Sequence, residues 1–132
     1  MAFLASMAVG GALAGCGEAT GPTSPIGAYS LTTVAAKALP VVMYEAEGYS
    51  LSVTAGEIAL KADSTYTASM SVLETVDGNK SNYVDRETGT WVEGAAGEIT
   101  LRPTGAQAYG AVWSGNTLTV AQVDLSLVYA RQ

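Results

Sequence analysis

Residues Thr65–Val76 read Thr-Tyr-Thr-Ala-Ser-Met-Ser-Val-Leu-Glu-Thr-Val, and their alternation decides the fold. Tyr66, Ala68, Met70 and Val72 fall on one side, and Thr65, Thr67, Ser69 and Ser71 on the other. Successive side chains of a strand point to opposite faces, whereas the 3.6-residue turn of a helix would scatter this pattern around its circumference. The segment is a strand with one buried and one wet face. The same scheme appears just before it. Tyr49, Leu51 and Val53 alternate with Ser50, Ser52 and Thr54, and Ile58 and Leu60 oppose Glu57 and Lys61. Asp63 and Ser64 supply the intervening turn.

Working outward, further strands are expected at residues 26–34, 83–93, 98–102, 108–113, 117–122 and 124–131. Turn chemistry separates them: Asp77-Gly78-Asn79, Gly94-Ala95-Ala96-Gly97, Pro103-Thr104-Gly105 and Ser114-Gly115-Asn116. Gly56-Glu57-Ile58-Ala59-Leu60 and Gly97-Glu98-Ile99-Thr100-Leu101 are near copies, and residues 115–120 form a looser third. Each reads as a turn glycine feeding a strand with two inward aliphatics. Their irregular spacing indicates repeated hairpin chemistry and not a solenoid.

About eight or nine short strands imply an all-β domain, either a barrel or a sandwich. No strand carries the heavy charge or proline of a protected edge, which favours an antiparallel up-and-down β-barrel of about eight strands. A β-sandwich would show the same alternation and stays as the alternative.

The N-terminal 15 residues carry no charge and are mostly Ala, Gly, Leu, Met, Val and Phe. This is the apolar core of an export signal, too short for the roughly 20 residues of a membrane span. Leu13-Ala14-Gly15-Cys16 resembles the lipobox of bacterial lipoproteins, which implies acylation of the Cys16 thiol, cleavage before it and acylation of the new amino terminus. Several acyl chains anchor stably where one would not. No Lys or Arg precedes the run, a departure whose simplest repair is a start codon further upstream. Lipidation also accounts for a single cysteine in an exported chain.

The expected organisation is a signal peptide at residues 1–15, a lipidated Cys16 with a flexible tether through residue 25, and a β domain over residues 26–132. The Gly- and Pro-containing tether can hold the domain up to roughly 30 Å from the lipid. Gly17, and not Asp, follows Cys16. By the enteric sorting rule, that resemblance favours the periplasmic face of the outer membrane in a diderm organism.

Removing residues 1–15 from 132 leaves 117, a normal size for one domain. Twelve acidic against six basic residues give a net charge of −6, spread without blocks. That balance argues against nucleic acid and against direct attraction to anionic lipid headgroups.

The domain resembles the short lipocalin-like lipoproteins of bacterial envelopes. The likeness is carried by Gly27-x-Tyr29-x-Leu31-x-x-Val34, Leu39-Pro40, Gly56-x-Ile58-x-Leu60-x-x-Asp63-x-x-Tyr66 and Gly89-x-Trp91. It continues through Gly97-x-Ile99-x-Leu101, residues 115–119 and Leu127-Val128-Tyr129-x-Arg131. The resemblance implies a small up-and-down barrel and, for most members, no assigned activity. One departure is Asp63-Ser64-Thr65, where the family more often has Asp-Gly-Thr, so Ser64 must accept a turn geometry that glycine takes more easily.

The chain has no histidine, and its one cysteine is committed to lipid. That removes Ser/His and Cys/His nucleophilic pairs and nearly all zinc-site patterns. Glu45 and Glu47 are the nearest carboxylate pair for glycosidase-like work, but beside Gly48 they read as solvated loop acids. Asp77 and Asn79 lack the companion ligands of a calcium loop. Asp85, Arg86 and Glu87 read as a charged strand end or a local ion pairing. No catalytic residues, metal or cofactor are expected, and the protein is read as non-enzymatic.

Binding potential lies in the aromatics. Tyr29, Tyr49, Tyr66, Trp91, Tyr109, Trp113 and Tyr129 occupy positions that can point inward, where rings with polar handles suit a pocket for a small hydrophobic ligand. The competing expectation is that they fill the barrel, because eight strands leave room for packed side chains or for one small ligand. The alternative function is a solid structural, interaction or inhibitor module that meets another envelope protein.

Overall fold

The computed structural model describes residues 23–122 and 125–132. The expected signal segment, Cys16 and most of the tether lie outside the described residues. Ten strands follow: β1 (Gly27–Val34), β2 (Lys37–Ala38), β3 (Val41–Ala46), β4 (Tyr49–Leu60), β5 (Thr65–Val76), β6 (Asn79–Glu93), β7 (Glu98–Pro103), β8 (Tyr109–Ser114), β9 (Thr117–Gln122) and β10 (Leu125–Arg131).

Every pairing is antiparallel, in the order β2-β1-β10-β9-β8-β7-β6-β5-β4-β3. A further pairing of β1 with β4, from Gly27↔Leu60 to Ser30↔Glu57, joins the sheet to itself. Eight strands, β1 and β4 to β10, thus form a closed up-and-down barrel, and β2 and β3 lie outside the ring. Closure decides against the sandwich. It also gives almost every backbone edge a partner.

Period-two patterning builds the interior. Tyr29, Leu31, Ile58, Leu60, Tyr66 and Trp91 are buried on the first half of the ring, and Ile99, Leu101, Leu118, Val120, Leu127 and Tyr129 on the second. No polar or charged residue is fully buried among the described residues. On the opposite face of β5, Thr65, Thr67, Ser69 and Ser71 meet solvent as half-buried side chains.

The end where the chain enters and leaves is sealed. Pro25 is fully buried there, and its carbonyl accepts a 2.5 Å hydrogen bond from the Tyr29 hydroxyl. The Arg131 guanidinium lies 4.8 Å from the Tyr29 ring centroid and donates to the carbonyls of Ile26, Ser24 and Gly115. Burial holds the Tyr29 phenol above its usual pKa range, with Arg131 partly opposing the shift.

At the other end the middle strands outrun the ring. β5 pairs with β4 and β6 along its whole length, whereas β7 meets β6 only from Gly89 to Glu93 and β1 meets β4 only from Ser30↔Glu57 onward. The free ends of β4, β5 and β6, with β3 along their edge, form a four-stranded extension beside the barrel mouth. Val42, Tyr44, Val76, Tyr83 and Val84 are exposed on it.

Three expectations are corrected. Residues 49–54 and 57–61 are not separate strands: β4 runs through both, interrupted by a register shift between Val53 and Ala55. Gly56 is therefore mid-strand and not a turn glycine. Its missing side chain makes room for Leu31, whose Cδ2 would lie 2.9 Å from an added Cβ. Glu45 sits on β3, where a loop was expected, because after the buried Val41 every residue of Val41–Ala46 is exposed and no alternation is left to read. Glu47 remains in the turn before Tyr49.

The suspected strain at Ser64 is present: its φ is +70°, in the left-handed region that glycine occupies at least cost. Asp63 stabilises that turn by accepting from the Thr65 amide at 3.0 Å and from its hydroxyl at 2.5 Å. These bonds hold the Asp63 carboxyl below its usual range, with Lys61 adding to the effect.

Candidate functional site: the barrel mouth

Strand register determines what faces the mouth. On β5, Ala68 and Met70 follow Tyr66 on the inward side, and their partners on β6 are Glu87 and Asp85. Two residues further along β6 stand Gly89 and Trp91, whose burial fixes the parity of the whole strand. Glu87 is thereby an inward carboxylate, with Asp85 on the same face nearer the rim.

It is not left alone. The Tyr66 hydroxyl donates to Glu87 Oε2 at 2.6 Å, and the Tyr109 hydroxyl, from across the barrel on β8, donates to the same oxygen. Such charge-assisted bonds are about twice as strong as neutral ones. Burial, and then the bond to a carboxylate, push both phenols well above their ordinary pKa. Tyr129 is pushed up to about 12 by burial, with the charge of Glu87 adding to it.

Next to this triad is a cavity of about 190 Å³. Ile58, Ala68, Met70, Val120 and Leu127 give it apolar walls, Tyr109 and Tyr129 line it as well, and Ser69, Asp85, Arg86, Glu87 and Gln122 give it polar groups. The β8–β9 ladder ends at Ala111↔Val120. Beyond that rung, Tyr109 and Gln122 also border a depression between the two strands.

The seven predicted aromatics do not form one cluster. Tyr109 and Tyr129 line the cavity, and Tyr66 reaches it through the carboxylate it binds. Tyr29 belongs to the sealed end. Trp91 is buried and donates from Nε1 to the Lys61 carbonyl at 3.0 Å, while half-buried Trp113 donates to Glu93 at 3.2 Å. Tyr49 stands on the extension, where its hydroxyl and that of Tyr83 both bond to Glu74. Interaction with Glu74 raises the pKa of both phenols.

Glu87, Asp85 and Met70 did not stand out as site residues in the sequence. The signal was nevertheless there: Glu87 and Asp85 share the odd-numbered parity of Gly89-x-Trp91, which makes both inward-facing. Read as a local run of charge, residues 85–87 hide the alternation in which Arg86 has the opposite parity, although it too borders the cavity.

Among the described residues no group of three or more metal-ligating side chains could hold an ion. Comparison of the chain with protein-family models, curated proteins and solved structures finds no match.

Proposed function

We propose that this is a lipid-anchored envelope protein of the lipocalin-like kind, and that it holds one small, largely apolar molecule at the barrel mouth without transforming it. The observation that carries the binding role is the 190 Å³ cavity, apolar on most sides and bordered by Tyr109, Tyr129 and Glu87. Ligand sites commonly pair an apolar lining with a few placed polar groups. The volume limits the occupant: a cavity of about 150 Å³ accepts benzene. A single ring with a short substituent fits this description, and a long acyl chain does not.

Anchoring rests on Leu13-Ala14-Gly15-Cys16 and the tether after it. The outer-membrane location rests on Gly17 and applies to a diderm host. A second reading, as an interaction module for another envelope protein, draws support from exposed Val42, Tyr44, Tyr83 and Val84 on the extension.

Titration of the full-length protein with 2-phenylethanol, followed at the Met70 methyl resonance, tests the binding role. Saturable shifts are expected, and they should disappear in Ala68→Phe, which fills the cavity. Shifts that persist in the filled variant would refute the assigned location. Anchoring is tested separately by detergent-phase partitioning: the wild type should enter the detergent phase and Cys16→Ala the aqueous phase. Identical partitioning of the two would refute anchoring.

A further inference from the structure

Charge is distributed unevenly over the two faces of the sheet. On the inward side of β5 and β6 and their extension stand Glu74, Asp85 and Glu87, by the pairings Ala68↔Glu87, Met70↔Asp85 and Glu74↔Ser81. The basic residues of these strands, Lys80 and Arg86, have the opposite parity. Arg86, of outward parity on β6, also borders the mouth cavity between Asp85 and Glu87, and among the described inward positions of the barrel strands the one cation is Arg131. It is at the sealed end, bonded to three backbone carbonyls and stacked on Tyr29.

The Glu87 carboxylate is also only partly used. Both tyrosine hydroxyls converge on Oε2, and among the described residues no donor is bonded to Oε1. The carboxylate is half-buried and borders the cavity, with Asp85 at the rim. Tyr109 and Tyr129 present rings to the same space. Aromatic faces attract cations, and do so more strongly when the site is partly dry.

We propose that the mouth cavity is selective for a small amphipathic organic cation: a protonated amine or alkylammonium group on an apolar body of about one ring. This inference rests on the binding role proposed above and names the class of its ligand. The ammonium group sits at Glu87 Oε1 with Asp85 at its outer side, and the apolar body packs against Ile58, Val120 and Leu127. An anionic ligand of the same shape meets like charge there. A neutral one brings no compensating charge to Glu87 Oε1, which is the basis for discrimination.

Three probes of similar size separate the possibilities in titrations of the full-length protein: 2-phenylethylammonium, 2-phenylethanol and 3-phenylpropionate. The expected order is the ammonium about tenfold or more tighter than the alcohol, with the carboxylate weakest. Glu87→Gln, which keeps an acceptor for Tyr66 and Tyr109, should remove most of that tenfold preference and bring the ammonium and the alcohol to within about twofold of one another. Asp85→Asn, at an exposed position, should reduce it by a few-fold without disturbing the fold, and supplies the test if Glu87→Gln is poorly folded. Equal binding of ammonium and alcohol, or a preference for the carboxylate, overturns cation selectivity while the cavity reading stands. Binding of none of the three overturns both.

Discussion

Replacing Tyr66 by Phe isolates the contact that organises the mouth. The ring is fully buried, so phenylalanine keeps its packing and removes only the hydroxyl that donates to Glu87 Oε2 at 2.6 Å. A hydrogen bond to a charged partner contributes about 1.5–3 kcal/mol, and a neutral one about 0.5–1.5. Glu87 is half-buried, and solvent screening puts the expected cost at the low end, about 1.5 kcal/mol. In a Glu87→Gln background the same hydroxyl meets a neutral amide oxygen, and its removal should cost about 0.7 kcal/mol. The double-mutant cycle therefore predicts a coupling of about 0.8 kcal/mol.

Urea unfolding of the four proteins at pH 7 measures these differences. With a denaturant slope of about 1.5 kcal/mol/M, Tyr66→Phe should lower the midpoint by roughly 1 M. Additive behaviour, with coupling below about 0.3 kcal/mol, would refute the view that Glu87 is a charged acceptor for Tyr66.

Other expectations follow from the same geometry. Ser64→Gly relieves the +70° φ of the β4–β5 turn and should stabilise by about 0.5–1 kcal/mol, raising the melting temperature by about 3 °C, whereas Ser64→Ala should not. Gly89→Ala should cost about 2–3 kcal/mol in the same melts, because its Cβ would lie 2.1 Å from the Arg102 carbonyl oxygen; Gly110→Ala, with open space, should change stability by less than about 0.5 kcal/mol. Tyr29, Tyr66, Tyr109 and Tyr129 have raised pKa values in the fold, so their contribution to stability is complete below the unfolded value near 10 and is lost as pH rises beyond it. Spectrophotometric titration should show these four ionising late, together with alkaline unfolding; ionisation of all four near pH 10 in the folded protein would contradict the assignment.

The barrel was legible because β5 alternates without interruption and because Trp91, Leu101, Leu118 and Leu127 keep the period wherever one face is buried. Where both faces of an element meet solvent, as in β3 beyond Val41, that signal vanishes. Gly56 misled for a different reason. A glycine before a strand-like run reads as a turn, yet here it is an empty position filled by Leu31 from β1, a contact set by closure. The aromatic set was visible, but its partition between the sealed end, the cavity and the extension depends on how far β4 to β6 outrun their neighbours. No local pattern records that. Glu87 was legible in principle from its parity with Trp91, although the tyrosines that converge on it come from strands 21 and 22 residues away.

Native mass spectrometry of the full-length protein from its native source tests most directly whether the barrel mouth holds a small molecule. The account predicts a single adduct of small mass, of a size suited to the 190 Å³ cavity, that is released on unfolding and missing from Ala68→Phe. Wild-type protein that is consistently bare, or an adduct retained equally by Ala68→Phe, would contradict it.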